Sequence, residues 1–154
     1  MADFYLAKTD EDYATVRLLF SEYAQAININ LDFQHFDEEL DGLKKMYAPP
    51  FGGIILAKDA AEAVGCVAIR KISETTGELK RMYIKPNQQK KGIGKILLEQ
   101  ALQLAKDCNY SVVKLDTLNY MLPAIHLYKQ AGFYEIAAYY HNPIATALYF
   151  EKLL

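Results

Sequence analysis

Residues 82 to 95 read Met82-Tyr83-Ile84-Lys85-Pro86-Asn87-Gln88-Gln89-Lys90-Lys91-Gly92-Ile93-Gly94-Lys95. An apolar run passes through a polar turn into a leucine-rich stretch, and the chemistry such a junction can do is anion binding. The first-turn amides of a helix have no partners inside the helix and carry roughly half a positive charge, so they form a ready phosphate site. Gly92 and Gly94 let a bulky phosphate approach the backbone. Lys90, Lys91 and Lys95 add three cations within six residues, in a chain whose formal net charge is -2. The attraction for anions is therefore local, and no global charge draws the protein to nucleic acid or anionic lipid. The segment is not a P-loop, because no Gly-x-x-x-x-Gly-Lys-Ser/Thr occurs. It is not a dinucleotide fingerprint either, because Leu97 stands at the third glycine position.

Other reactive residue types are sparse. Cys66 and Cys108 lie isolated in apolar stretches, without the short paired spacing of redox or zinc motifs, and read as reduced packing residues. His35, His126 and His141 fall at no metal-site spacing, so no metal is expected. No Cys-His or Ser-His signature marks a covalent nucleophile. Tyrosine is abundant at twelve residues, and Tyr139-Tyr140-His141-Asn142-Pro143 is a loop that either lines a ligand pocket or is structural.

The elements that must position these residues follow from periodicity. Residues 4–7 are expected as a short strand. Thr9 and Asp12 come close to a capping box, opening a helix whose apolar positions Tyr13, Val16, Phe20, Tyr23 and Ile27 make one stripe. A second helix is expected after Asp37, along Leu40, Leu43, Lys44 and Tyr47, until Pro49-Pro50 forbids it. Residues 53–58, 63–72 and 78–84 read as three consecutive antiparallel strands, the last following a turn at Glu74-Thr75-Thr76-Gly77. Residues 92–109 carry Ile93, Leu97, Ala101, Leu104 and Ala105 at helical spacing. Residues 112–115 read as a strand, residues 123–131 as a helix opened by Pro123 and ended by Gly132, and β pattern resumes at Phe133. The unit spanning residues 79–115 should be a right-handed crossover between parallel neighbours in an otherwise mostly antiparallel sheet.

At 154 residues, with no repeat and no linker composition, the chain reads as one domain, residues 1–154, burying roughly two thirds of its unfolded surface. No stretch approaches the ~18 apolar residues of a membrane span, and the first residues show no basic start followed by an apolar run. A cytoplasmic protein is the resulting expectation.

The string Gln89-Lys90-Lys91-Gly92-Ile93-Gly94 resembles the Gln/Arg-x-x-Gly-x-Gly/Ala signature of the GCN5-related N-acetyltransferase (GNAT) family. Leu79-Lys80-Arg81-Met82-Tyr83-Ile84-Lys85-Pro86 looks like that family's central strand. Ala124-Ile125-His126-Leu127-Tyr128-Lys129-Gln130-Ala131-Gly132-Phe133 is close to its Ala-x-x-Leu-Tyr-x-x-x-Gly-Phe motif. Gln89 stands where arginine is commoner, a change that backbone-mediated phosphate binding tolerates. The resemblance covers nearly the whole chain and extends to the small bacterial-type members. It implies a mixed α/β (α+β) fold, with a mostly antiparallel sheet of six to seven strands, helices on both faces and a V-shaped cleft between two central parallel strands.

The resemblance further implies acetyl-CoA (coenzyme A) as co-substrate, with its pyrophosphate on residues 89–95, that is Gln89, Lys90, Lys91, Gly92, Ile93, Gly94 and Lys95. Its pantetheine arm would run along the bulged main chain of Met82, Tyr83 and Ile84, near Asn119. Tyr128 matches the family tyrosine that lies near the cofactor sulfur and protonates the leaving thiolate. Glu78 is the carboxylate best placed to accept the amine proton, directly or through water; an exposed strand-end charge paired with Lys80 or Arg81 is the structural alternative. The expected reaction moves acetyl to a primary amine of a small molecule or peptide by direct attack. A noncatalytic acyl-CoA-binding sensor is the rival reading, and a homodimer through the late strands is an option that the fold allows. A nucleic-acid-binding domain built on the lysines around Gly92 is a third, which the overall charge disfavours.

Overall fold

The computed structural model describes residues 2–154, with Phe33 described by its backbone alone. The order is β1 (Ala2–Leu6), α1 (Asp10–Ile27), α2 (Phe36–Asp41), α3 (Leu43–Met46), β2 (Gly53–Asp59), β3 (Glu62–Lys71) and β4 (Thr76–Ile84). Then follow α4 (Ile93–Asp107), β5 (Val112–Leu118), α5 (Leu122–Gln130), β6 (Tyr134–Ile136) and β7 (Ala147–Leu153), with 3-10 turns at Asp32–Gln34 and Pro86–Gln88.

Helix α1 begins with a full capping box. Thr9 Oγ1 accepts from the Asp12 amide at 3.0 Å, and Asp12 Oδ2 accepts from the Thr9 amide at 3.1 Å. Asp10, Glu11 and Asp12 sit in the positive first turn, and Asn28 closes the far end in the left-handed region at φ 52°. The helix expected after Asp37 is instead two short helices that meet at Gly42, which ends α2 and precedes α3.

The seven strands form one sheet in the order β1-β2-β3-β4-β5-β7-β6, antiparallel throughout except for the β4–β5 pair. Adjacent residues of β2 serve opposite cores. Ile54 and Leu56 pack with Val16, Leu19 and Phe20 of α1, whereas Ile55 and Ala57 share a core with Leu97, Leu98, Ala101 and Ala105 of α4. A strand covered on both faces loses the polar alternation of a half-exposed one, which is why β2 and β3 read as nearly unbroken apolar runs.

Strand β4 starts at Thr76, earlier than expected. Gly77 is a strand residue rather than a turn residue: a Cβ there would lie 2.7 Å from Cδ2 of the Tyr110 ring, so the glycine admits the aromatic. Strand β5 runs on to Leu118, three residues beyond its expected end.

Two irregularities of β4 shape the cleft. Its pairing with β3 slips between Ala68↔Lys80 and Cys66↔Tyr83, so β4 carries one extra residue, and Arg81 adopts φ 59° there. The bulge breaks alternation: Leu79 and Met82 both join the α4-side core, while Lys80 and Arg81 both line a cavity on the other side. The second irregularity is divergence. β4 and β5 share only Thr76↔Val112, Gly77↔Val113 and Glu78↔Lys114. From residue 79 onward the β5-side edge of β4 has no strand partner among the described residues, and the sheet opens as a V.

Candidate active site

The opening of the V is a cleft of about 510 Å³, within the usual range for small-molecule sites. Met82, Tyr83 and Ile84 of β4 form one wall, Tyr120, Pro123, Ala124 and Leu127 the other, and the turn into α4 forms one end. At that end Gly92 takes φ 81° as the residue before α4, and nothing lies within 4 Å of where its Cβ would be. Unlike α1, α4 has no side-chain cap and no acidic residue in its first turn. The amides of Ile93, Gly94 and Lys95 therefore face the cleft's end without a protein carboxylate to satisfy them. Gln89 Nε2 donates to the Ile84 carbonyl at 3.2 Å and clips the turn onto β4. Lys90 and Lys95 line the cleft, while Lys91 turns aside, its Nζ donating to Gln88 Oε1 at 3.2 Å. An open strand edge, an uncapped helix start and flanking lysines fit an extended ligand that ends in phosphates.

The vertex of the V is polar and buried. Glu78, only 2% exposed, accepts from Arg70 Nε at 2.7 Å and from the Tyr139 hydroxyl at 2.6 Å. It is thus an interior strand residue rather than an exposed strand-end charge, and Lys80, at 3.8 Å, is a looser partner. Burial pushes its carboxyl up, but Lys80 and Arg70 outweigh that and hold it below the usual carboxylate range. Arg81 pairs with Glu39 rather than with Glu78. Its Nε and Nη2 lie 3.0 and 2.8 Å from the two oxygens of Glu39, which also accepts from Tyr47 at 2.9 Å. Asp116 of β5 accepts from the Tyr140 hydroxyl at 2.7 Å, and burial pushes its carboxyl above the usual range despite that bond. The rings of Tyr139, Tyr140 and Tyr149 meet edge to face with centroids 5.4 to 6.0 Å apart. The segment between β6 and β7 thereby brings one tyrosine to each carboxylate of the parallel pair.

The cleft gathers Met82, Tyr83, Ile84, Gln89, Lys90, Gly92, Ile93, Gly94 and Lys95, but its lining excludes Lys91, Asn119, Tyr128 and Glu78. Asn119 is exposed at the end of β5, and no side chain caps α5. Tyr128 is 5% exposed and stacks against Phe133 and Phe150, with ring centroids 5.8 and 6.5 Å away. Burial raises its phenol. Gln34, Glu39, Arg70 and Asp116 escaped the sequence reading. The one usable signal was the charge of Asp116 inside an apolar strand pattern; the others acquire meaning only from partners distant in sequence.

A model of the Acetyltransferase (GNAT) family matches residues 15–133. An uncharacterised N-acetyltransferase of Schizosaccharomyces pombe is 36% identical over 144 residues, spanning 92% of this chain and 88% of that protein. Among solved structures, an acetyltransferase from Streptococcus agalactiae matches with a TM-score of 0.81 at 21% identity, covering 99% of this chain and 98% of that one. A GNAT family acetyltransferase from Elizabethkingia anophelis with acetyl-CoA bound matches with a TM-score of 0.68 at 20% identity, over 99% and 98% of the two chains. Both signature strings noted in the sequence lie within the span of the family match, and this chain belongs to the GNAT acetyltransferase family.

Proposed function

We propose that the protein is an N-acetyltransferase that moves the acetyl group of acetyl-CoA to a primary amine of a small molecule or peptide by direct attack. One observation carries this reading: Tyr23 and Ile27 line both the large cleft and a small cavity at the vertex. A thioester lying along β4 and an amine entering from the vertex would meet there. Acetyl-CoA supplies an activated acyl group and a thiolate leaving group. The chain's own contribution begins with the uncapped start of α4 and Lys90 and Lys95, which hold the phosphates, with Gln89 and Lys91 completing the turn. The unpaired edge at Met82, Tyr83 and Ile84 grips the pantetheine arm by backbone bonds and offers an amide to the developing oxyanion, with Asn119 adding a hydrogen bond to the same arm.

An amine with a pKa near 10 reaches its free-base form at neutral pH for about 4 kcal/mol, so a proton acceptor is useful. Glu78 takes that role through water or the Tyr139 hydroxyl, since both its oxygens are engaged. Tyr128, with a raised phenol that stays protonated, acts as acid to the departing sulfur. A cytoplasmic location belongs to the same reading; among the described residues no helix is long and apolar enough to cross a membrane. So does a homodimer through the late strands, β6 being an edge of the sheet. Membership of the small bacterial-type subgroup is part of the same proposal, although the 36% identical relative is a fungal protein.

The test is release of free thiol from acetyl-CoA against a panel of amines, amino acids, polyamines and peptides, run beside calorimetric titration of coenzyme A. Acceptor-dependent release, with Tyr128→Phe lowering kcat roughly 100-fold or more at unchanged cofactor affinity, is the expected result. Cofactor binding without release on any acceptor would make the chain a noncatalytic acyl-CoA-binding module instead.

A further inference from the structure

The vertex cavity has a volume of about 30 Å³, and because one water needs roughly 10–15 Å³ on this measure, it admits about two small polar groups. Gln34, Lys80, Asp116 and Asn142 supply its polar side, and Ile29, Leu31, Leu118 and Ile144 its apolar side.

The hydrogen bonds orient this polar side. Asn142 Oδ1 accepts from the Ile144 amide at 2.9 Å, so its Nδ2 is the atom that donates to Tyr140 Oη at 3.1 Å. Gln34 Nε2 donates to the same oxygen at 2.9 Å. With two donors on it, the Tyr140 hydroxyl gives its proton to Asp116 Oδ2. Two acceptors are left over: Gln34 Oε1 is buried with no hydrogen-bond partner, and Asp116 Oδ1 makes no hydrogen bond among the described residues. Acceptors left bare beside a cavity call for a ligand rich in donors.

The charges around the cavity are equally specific. Arg81 is closed on Glu39, and Arg70 on Glu78. Lys80 Nζ stands 3.8 Å from a Glu78 oxygen that Arg70 already holds, beyond hydrogen-bond reach. Among the described residues, Asp116 is thus the cavity's carboxylate with an unengaged oxygen and Lys80, only loosely paired with Glu78, its ammonium without a hydrogen bond, and the charges of Glu39, Glu78, Asp116, Arg70, Lys80 and Arg81 sum to zero. Burial works against both, raising the Asp116 carboxyl and lowering the Lys80 ammonium. A ligand carrying both signs relieves each, whereas a polycation meets no net negative charge.

We propose that this cavity seats the charged end of a small zwitterion: the ligand's ammonium is held by Asp116 and Gln34 Oε1 and its carboxylate faces Lys80, while its side chain extends out of the cavity along Ile27 and Tyr23 toward the cleft. An amino acid with a short aliphatic side chain is the ligand class, a choice that rests on the acetyl-transfer reading above.

The test is calorimetric titration of the coenzyme A-saturated protein with leucine, isopentylamine, N-acetylleucine, spermidine and a dipeptide. Leucine should bind roughly 10- to 100-fold more tightly than isopentylamine, which lacks the carboxylate, or N-acetylleucine, which lacks the ammonium. Lys80→Met should erase the preference over isopentylamine, and Asp116→Asn the preference over N-acetylleucine, each with coenzyme A affinity unchanged as the check on folding; Lys80→Gln replaces Lys80→Met if that variant is unfolded. Spermidine or the dipeptide binding as tightly as leucine overturns the proposal, as does no binding of leucine. If acetyl transfer to spermidine or the dipeptide proceeds while leucine neither binds nor reacts, the zwitterion site alone fails. Failure of coenzyme A to bind would sink the transfer reading instead, while the leucine titration of the free protein would still judge the site.

Discussion

Replacing Glu39 by glutamine tests whether the bulge of β4 is anchored as the structure implies. Glu39 is 1% exposed and accepts three hydrogen bonds, two from Arg81 and one from Tyr47. Glutamine has the same shape but leaves one acceptor oxygen, turns an NH2 toward a guanidinium that can only donate, and strands the Arg81 charge. Removing one partner of a buried pair costs about 3–5 kcal/mol. At about 2–4 °C per kcal/mol for a chain of this size, the melting temperature should fall by roughly 6–20 °C. The pair also has a pH signature. Burial raises the Glu39 carboxyl, but the Arg81 bonds outweigh that and hold it below its ordinary value of 4.5. Its contribution is therefore present above that value and lost as pH falls through the lower folded value. Urea unfolding of wild type and Glu39→Gln between pH 7 and pH 3 should show a gap that narrows toward acid. A gap under about 1 kcal/mol at pH 7 would refute the anchoring argument, as would one that stays constant down to pH 3. The double variant Glu39→Leu/Arg81→Met should cost much less than the summed singles.

Gly92→Ala should cost about 1–2 kcal/mol in unfolding experiments, from the left-handed φ alone because its Cβ meets no atom, and should weaken coenzyme A more than dephosphorylated pantetheine in calorimetry. Tyr140→Phe removes the bond that pulls the Asp116 carboxyl down against the push of burial, with Lys80 and Arg81 still favouring its charge and Glu78 opposing it. The acidic limb of the kcat/KM profile should then move to higher pH, and an unmoved limb would separate Asp116 from acceptor capture. Thr9→Ala breaks the capping box of α1 and should cost about 1 kcal/mol by thermal unfolding, with no change in cofactor affinity.

Local signals were legible where local physics decides. The α1 start declares itself because Thr9 and Asp12 cap each other within one turn, and α4 because its leucines and alanines keep one buried face. The turn from β4 into α4 was readable for the same reason, being one contiguous junction. The helix after Asp37 misled because its apolar spacing continues through Gly42, where the chain in fact starts a second helix. Gly77 reads as a turn until Tyr110, thirty-three residues on, is placed against it. The polar vertex was the least legible part. Arg81 faces Glu39 only because a bulge turns it, and Asp116 is tolerated in a strand because Tyr140 reaches it from another segment. No window of sequence contains both members of either pair.

The three rungs between β4 and β5 make the sheet a structure with a seam. On one side lies a four-strand block, on the other a three-strand block, and the crossover through α4 is the main chain's passage between them. A ligand that bonds along the free edge of β4 would act as a splice, carrying load between blocks that otherwise meet over a short stretch. Ligand at 100 times its dissociation constant adds about 2.7 kcal/mol to folding, and here the gain would fall at the join. If that ligand is the acetyl-CoA proposed above, the persistence of each folded molecule would rise with the acetyl-CoA concentration around it.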